Sequence, residues 1–243
     1  MQEVQGFIIL LDISGYTRFI RSHNLRYVPG IGAQMKSTSE AHAEQIITDL
    51  LETLIKATHP LLNPEKLEGD AVLMTAMGDD DAVLARELMD ALPTIFDAFH
   101  KRIHELAFCN ACLCDCCSQM VQLRVKAIAH HGPFLLKKVL AFREIAGQEV
   151  IRAHRLLKND VDSDEYLMIT DAVSALLGGN HGLPMTPHRE HDPDLGETKV
   201  WVHQPDPPVF PEPLPTSYLT RYKAMKDYFG AGRTREGLLD AIP

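Results

Sequence analysis

The chain has 243 residues, with 24 Lys and Arg against 33 Asp and Glu, which gives a formal net charge of −9. Its 45% hydrophobic and 23% charged residues are typical of a globular protein, so wholesale disorder and a fibrous repeat are excluded. The acidic balance argues against nucleic acid or an anionic membrane as a broad partner, because both repel it.

The chain opens with a predicted strand and a long helix. Residues 7–11 form a continuous apolar run, typical of a strand buried on both faces, and the following turn places Asp12 at its tip. Residues 38–57 carry apolar side chains at helical spacing, after a capping-box pattern of Ser37 and Glu40. The apolar run is too short for a signal sequence or a spanning helix.

A hairpin and a second helical region follow. Residues 66–74 are predicted to form two strand arms around a turn at Gly69 and Asp70, which places a second acid at a hairpin tip. Residues 79–106 are predicted to be helical, with a kink or a break at Pro93.

The second half alternates strands and helices. Apolar alternation predicts a strand over 121–129, and we expect 134–142 to be its antiparallel neighbour across a turn at 131–133. The remaining predicted elements are a helix at 148–158, a strand at 166–169, a helix at 170–177 and a strand at 199–203. This order favours an α+β, ferredoxin-like fold, with helices packed on one side of a mainly antiparallel sheet.

The end of the chain differs in composition. Proline dominates residues 205–215, which predicts a stiff linker. Aromatic and apolar side chains at helical spacing over residues 218–229 predict a helix that docks on its own domain or on a partner subunit. We expect one domain over 1–204, with a cysteine-rich insertion at 108–118, and a tail over 205–243 that comprises the linker and the helix.

Two acids, Asp12 and Asp70, are expected at strand ends of one sheet. Hard divalent cations such as Mg²⁺ prefer carboxylate oxygens on rigid supports, and two such ions together activate a hydroxyl and a phosphate. The alternative is that Asp12 caps a turn and Asp70 is only a turn residue. Spacing alone leaves both interpretations open.

Two motifs resemble the catalytic domains of class III adenylate and guanylate cyclases. Their opening strand, Asp-Ile-x-Gly-Phe/Tyr-Thr, is similar to residues 10–19, LLDISGYTRF, and their Lys-x-x-Gly-Asp hairpin is similar to residues 66–72, KLEGDAV. Two weaker similarities follow, to His-x-Gly-Pro at 130–133 and to the helix Asp-x-x-Gly-x-x-Val-Asn-x-Ala-x-Arg at 144–155. The resemblance spans about residues 5–203. Residues 147–159, with the upstream cysteines, more narrowly resemble an uncharacterised bacterial family of cyclase-like proteins.

The resemblance implies roles for five residues. Asp12 and Asp70, with the backbone carbonyl of Ile13, would bind two metal ions, usually Mg²⁺ or Mn²⁺. Lys66 matches the position that reads adenine, and Glu144 matches the second base-reading position. A carboxylate there accepts a hydrogen bond from the adenine amino group, so ATP is favoured over other purine nucleotides.

Three further positions bear on catalysis. Arg155 matches the arginine that neutralises charge on the α-phosphoryl group, and Lys199 matches a phosphate-contacting lysine. The ribose-orienting asparagine of the family is replaced by Ile151, which can neither donate nor accept a hydrogen bond. Loss of one positioning group costs on the order of 10²-fold in rate. Slow or absent turnover is therefore expected.

The resemblance also implies a homodimer, because such cyclases take the metal-binding aspartates from one subunit and the base-reading and arginine residues from the other. Three functions remain open: conversion of ATP to cyclic AMP and pyrophosphate, a degenerate nucleotide-binding or regulatory module, and a metal-stabilised scaffold. Taken singly, Arg155, Lys66 and Glu144 are equally compatible with solvated surface charges.

All five cysteines lie within nine consecutive residues, which is not the distribution of a disulfide framework. We therefore expect a cytoplasmic protein with reduced thiols. A structural zinc ion needs four ligands, and the first pair has finger-like spacing. An iron–sulfur cluster, a redox switch and plain packing are the alternatives. His130 and His131 are either additional ligands or hydrogen-bonded structural residues. The candidate zinc ligands, of which a subset of four would serve, are Cys109, Cys112, Cys114, Cys116 and Cys117.

Overall fold

A computed structural model describes residues 1–21, 32–112, 115–208 and 217–231. Cys114, most of the predicted proline-rich linker and the side chains of Ser37 and Glu40 lie outside this description. No helix of the described residues is long and apolar enough to cross a membrane.

Helices occupy most of the segments between the strands. Their bounds are α1 Tyr16–Arg21, α2 Gly32–Thr58, α3 Asp81–Ala91, α4 Thr94–Glu105, α5 Asp115–Gln119, α6 Gln148–Leu156, α7 Asp171–Leu176 and α8 Tyr218–Ala231. The break between α3 and α4 falls at Pro93, as predicted, because proline cannot continue the hydrogen-bond ladder of a helix. A 3₁₀ turn at Leu106–Ala111 follows α4.

Eight strands of the described residues form one sheet in the order β2-β3-β1-β4-β6-β8-β7, with β5 paired to β4. Their bounds are β1 Gln2–Ser14, β2 Asn63–Glu68, β3 Ala71–Ala76, β4 Arg124–Val139, β5 Phe142–Ala146, β6 Tyr166–Thr170, β7 Thr186–Asp192 and β8 Gly196–His203. Only the pairing of β4 with β6 is parallel among these. The predicted α+β fold with a mainly antiparallel sheet is confirmed.

Strand β4 differs from its prediction. A hairpin with its turn at 131–133 was expected, but the strand runs unbroken and pairs with β1 from Arg124 to Leu136. Pro133 falls between the segments of β4 that pair with β6 and with β5. Among the described residues the strand has no second neighbour there, so the missing N–H of proline removes no ladder bond with them on that side.

Helix α6 covers one face of the sheet centre. Its side chains Val150, Ala153 and Leu156 pack with Ile8 and Leu10 of β1 in one buried cluster. Residues 7, 9 and 11 alternate to the opposite face and are also fully buried. The prediction that β1 is buried on both faces is therefore confirmed.

The described residues divide into two compact units. The sheet unit comprises 1–14, 53–99 and 124–207, and the cysteine unit comprises 15–52, 100–123 and the described residues from 208 onward. The expected domain boundary after residue 204 stays a prediction.

Within the cysteine unit, α8 is anchored on neighbouring helices. The Tyr228 hydroxyl donates to Asp49 at 3.0 Å, and the Gln45 side chain donates to the Tyr228 carbonyl at 2.7 Å. Asp49 also receives two hydrogen bonds from the guanidinium of Arg102, at 2.6 and 2.7 Å. Aromatic residues of α8 thus pack within the chain itself.

Candidate functional site

The two predicted acids lie side by side in the sheet unit. Asp12 of β1 pairs across the sheet with Ala71, the residue directly after Asp70. The N–H of Ile13 donates to the backbone carbonyl of Asp70 at 3.0 Å, which fixes the hairpin tip against the end of β1. Ile13 itself is buried, whereas both aspartates are half-buried.

The environment of Asp12 is unfavourable to its charge. Burial, and to a smaller extent the nearby negative charge of Asp70, raise the pKa of Asp12 to about 6, although Lys126 opposes the shift. Two carboxylates that repel each other on rigid strands are a donor set that fits a hard divalent cation. The residues present therefore fit the Mg²⁺ or Mn²⁺ that the resemblance to cyclases implies.

A cleft of about 660 Å³ opens elsewhere in the sheet unit. Its lining includes Lys66 of β2, Leu73 of β3, Glu144 of β5, and Ile151 and Arg155 of α6. The two α6 residues are one turn apart, so both project into the same space. Ile151 is 53% exposed there, so an apolar side chain lies one helical turn from Arg155 in a cleft lined by both charged and apolar residues.

Acids already partner the cations at one end of this cleft. Glu68, which also lines it, accepts from Lys66 at 3.2 Å and pairs with His154 at 3.0 Å. Partial burial opposes the shift, but these two partners together lower the pKa of Glu68. Glu144 is exposed and pairs with Lys137 at 3.0 Å, which lowers its pKa.

Arg155 has more distant partners than Lys66 and His154 of the same cleft. Its guanidinium lies 3.6 Å from Asp192 and 3.8 Å from Asp194, in the turn between β7 and β8. These distances exceed those of strong charge-assisted hydrogen bonds, and the Arg155 side chain is half-exposed. Arg155 can therefore exchange these acids for another anion at small cost.

Lys199 lies apart from the cleft. Its ammonium pairs with Asp171 at 3.2 Å and lies over the ring of Trp201, 5.2 Å from its centroid. Among the described residues, the cleft lining does not include it. Its expected contact with phosphate stays a prediction.

Sequence reasoning missed a polar network that holds α6 to the sheet. His130 hydrogen-bonds to Thr170 at 2.9 Å and to Glu149 at 2.7 Å. Arg152 donates to Glu149 at 3.0 Å and to Thr198 at 2.8 Å. Burial lowers the pKa of His130, against the opposing effect of Glu149. The signal for this network was the His-x-Gly-Pro stretch.

The rest of that stretch is structural as well. His131 bonds to Asp81 at 2.9 Å and packs against Phe7, with ring centroids 4.7 Å apart. A Cβ on Gly132 would lie 2.8 Å from Cγ of Glu149, so only glycine allows this approach. The contacts of His130 and His131 are thus those of hydrogen-bonded structural residues.

Comparison with known proteins places the chain in a family. The model for "Protein of unknown function (DUF2652)" matches residues 47–166. The uncharacterized protein Rv2561/Rv2562 of Mycobacterium tuberculosis is 34% identical over 154 residues, which are 63% of this chain and 71% of that protein.

Solved structures show the fold. The catalytic core of a rhodopsin-guanylyl cyclase with converted specificity, in complex with ATPαS, has a TM-score of 0.53 at 15% identity, covering 84% of this chain and 98% of that one. The guanylate cyclase domain from Catenaria anguillulae, in complex with GTP, has a TM-score of 0.52 at 13% identity, covering 84% of this chain and 99% of that one. The adenylyl cyclase CyaB from P. aeruginosa gives 0.51 at 14% identity, covering 87% and 100%. The chain therefore belongs to the family of uncharacterised proteins that includes the mycobacterial protein, and it has the fold of class III nucleotide cyclase catalytic domains.

Proposed function

We propose that this protein binds ATP with a divalent cation and converts it to cyclic AMP and pyrophosphate between two copies of the chain. One observation carries the proposal: Lys66, Glu144 and Arg155, which come from separate elements, line a single cleft. Chance surface charges have no reason to converge on one cleft in the order of the family motifs.

Each residue has a role that its chemistry supports. Lys66 donates to a ring nitrogen of the base, and Glu144 accepts from the exocyclic amino group. Arg155 exchanges Asp192 and Asp194 for the α-phosphoryl oxygens as their charge grows. When bound by Asp12 and Asp70, Mg²⁺ or Mn²⁺ polarises phosphate oxygens and makes the ribose hydroxyl more acidic.

The distribution of these residues supports a homodimer. Among the described residues, neither Asp12 nor Asp70 lines the cleft that holds Lys66 and Arg155. One chain therefore offers a carboxylate half and a base-and-phosphate half in separate places. Two copies related by a two-fold axis bring opposite halves together, and the same operation makes a second site.

Ile151 supports a second candidate function, a nucleotide-binding module without turnover. Its half-exposed side chain occupies the cleft where a ribose-orienting amide is expected. An apolar group there cannot hold the ribose for attack, although it still permits stacking and phosphate contacts.

The test is to incubate the purified protein with ATP and Mn²⁺ and to measure cyclic AMP. The wild-type protein should form product, whereas Asp12→Ala and Arg155→Ala should lose it by on the order of 10²-fold or more. Arg143→Ala is the matched control, since Arg143 is an exposed cation of β5 outside the cleft lining. Wild-type product no higher than that of Asp12→Ala would refute the enzyme and, if fluorescent ATP still binds, favour the second candidate.

Two further variants test the arrangement. An equal mixture of Asp12→Ala and Arg155→Ala subunits should recover about one quarter of wild-type activity, because half of the dimers then contain one intact site. Ile151→Asn should raise turnover by on the order of 10²-fold if the missing amide limits the reaction. No recovery in a mixture shown to exchange subunits would contradict the shared site.

A further inference from the structure

The cysteine unit brings together three side chains that typically bind soft metal ions. His42 lies on α2, Cys112 directly follows the 3₁₀ turn, and Cys117 lies on α5. Their ligand atoms all lie within 4.8 Å of one another. His42 is far from the two cysteines in sequence, since its separation from Cys112 is 70 residues.

The distance between Cys112 and His42 matches tetrahedral coordination. Cys112 Sγ lies 3.6 Å from His42 Nδ1. A zinc ion with Zn–S of about 2.3 Å and Zn–N of about 2.1 Å separates sulfur and nitrogen by about 3.6 Å at the tetrahedral angle. Sulfur and imidazole are also the donor types that select zinc over Mg²⁺.

The imidazole is held in one orientation. His42 is 8% exposed, and its ring stacks on Phe229 of α8 with centroids 3.6 Å apart and an interplanar angle of 12°. A ligand that is already fixed loses little conformational freedom when a metal binds. Cys117 is fully buried, so the site is shielded on that side.

We propose that His42, Cys112 and Cys117 bind one zinc ion that joins α2, the 3₁₀ turn and α5. On binding, both thiols lose their protons to solvent, and neutral His42 donates the lone pair of Nδ1. The three side chains leave one tetrahedral position for a further ligand. This site is independent of the proposed nucleotide site and places a histidine in the set that the cysteine pattern alone did not include.

Cys109 and Cys116 provide matched controls. Both are fully buried and lie in the same segment, yet neither belongs to the group of converging ligand atoms. Replacing cysteine by alanine removes the same atoms at all four described cysteines, of which Cys109, Cys116 and Cys117 are buried and Cys112 is partly exposed. A difference in bound metal among these variants therefore reports ligation.

The experiment measures zinc by elemental analysis in full-length protein purified without chelator. Wild type, Cys109→Ala and Cys116→Ala should contain about one zinc ion per chain, whereas His42→Ala, Cys112→Ala and Cys117→Ala should contain less than about one fifth of that. Absence of zinc from the wild type, or full retention by His42→Ala, would overturn the proposal.

Cobalt substitution tests the site in the wild-type chain, where folding of a variant is not at issue. A tetrahedral Co²⁺ spectrum with charge-transfer bands from two or more thiolates is the expected result. A spectrum with fewer than two thiolates overturns the proposal. So does rapid alkylation of Cys112 by iodoacetamide in the presence of excess zinc, because the 3.6 Å contact would then be a reactive thiol–imidazole pair that zinc does not protect.

Discussion

The two candidate metal sites of this chain have opposite chemistry. In the sheet unit, Asp12 and Asp70 offer only oxygen, and their mutual repulsion is part of what raises the pKa of Asp12. In the cysteine unit, His42, Cys112 and Cys117 offer nitrogen and sulfur, with ligand atoms within 4.8 Å of one another. We therefore expect the carboxylate pair to bind an ion that is exchanged together with the substrate, and the sulfur and nitrogen ligands to bind an ion permanently.

The difference follows from what each ion must do. A hard cation that assists phosphoryl chemistry keeps open positions for substrate oxygens, so two protein carboxylates suffice. A structural ion is enclosed by protein ligands and contributes its binding free energy to folding. Loss of the ion from the carboxylate pair should therefore destabilise the folded protein only slightly. Loss of the ion from the site of His42, Cys112 and Cys117, the sulfur site, should destabilise it greatly.

The largest expected effect is on the sulfur site. Zinc binding to structural sites in peptides amounts to about 10–16 kcal/mol, so removal of zinc by a strong chelator should lower the Tm by at least about 10 °C. Calorimetry before and after zinc is restored measures this loss and its reversal. Dialysis into Mg²⁺-free buffer, the matched treatment for the carboxylate pair, should leave the Tm unchanged. Equal responses to both treatments would remove the distinction.

Asp12→Asn should stabilise the folded protein, whereas removal of zinc should destabilise it. Between the ordinary pKa of 3.8 and about 6, folded Asp12 holds a proton that the unfolded chain has lost. Without a cation, the free energy of unfolding of the wild type therefore falls as pH rises through this range. Removing the charge should stabilise the ion-free protein by about 1–3 kcal/mol at pH 7.

Thermal unfolding at pH 7 in the absence of divalent ions measures this gain. Asp171→Asn is the control, because Asp171 is an exposed acid whose pKa Lys199 lowers. It should bring no gain. A lower Tm for Asp12→Asn than for wild type would show that the Asp12 charge is satisfied by the protein itself.

The carboxylate pair was predictable from sequence because its determinants are local. The apolar run before Asp12 and the turn at Gly69, with its φ of +70°, each fix one acid at a strand tip. Antiparallel pairing of the two strands then brings the acids together. The same locality explains why the division of the helical region at Pro93 was predicted.

The rest depended on tertiary structure. His42 carries no metal-ligand spacing in the sequence, and only the packing of α2 brings it to Cys112. Strand β4 was divided wrongly because the sequence shows glycine and proline, whereas 13-residue β1 supplies a continuous partner across them. Strand β7 was missed because a polar edge strand, TPHREHD, has no buried face to impose alternation.

The affinity of the carboxylate pair for a cation should depend on pH. A hard cation binds Asp12 only when that carboxylate is ionised, so protons compete with it below the pKa of about 6. The apparent affinity for Mn²⁺ should therefore fall about tenfold per pH unit below 6. Titration followed by electron paramagnetic resonance at pH 5 and pH 7 measures it. Equal affinities at the two pH values would mean that Asp12 is not a ligand.

The smallest expected effect separates the two causes of the Asp12 shift. Burial is the larger cause and the charge of Asp70 the smaller, so Asp70→Asn should lower the pKa of Asp12 by less than about one unit. Carbon NMR of the labelled Asp12 carboxyl group follows the titration directly, and Asp171→Asn is again the control. A return to the ordinary value of 3.8 would mean that repulsion between the acids dominates. The fold would then hold two strongly repelling carboxylates together. A bound ion would relieve this repulsion, so it would stabilise the folded protein as well as contact the substrate.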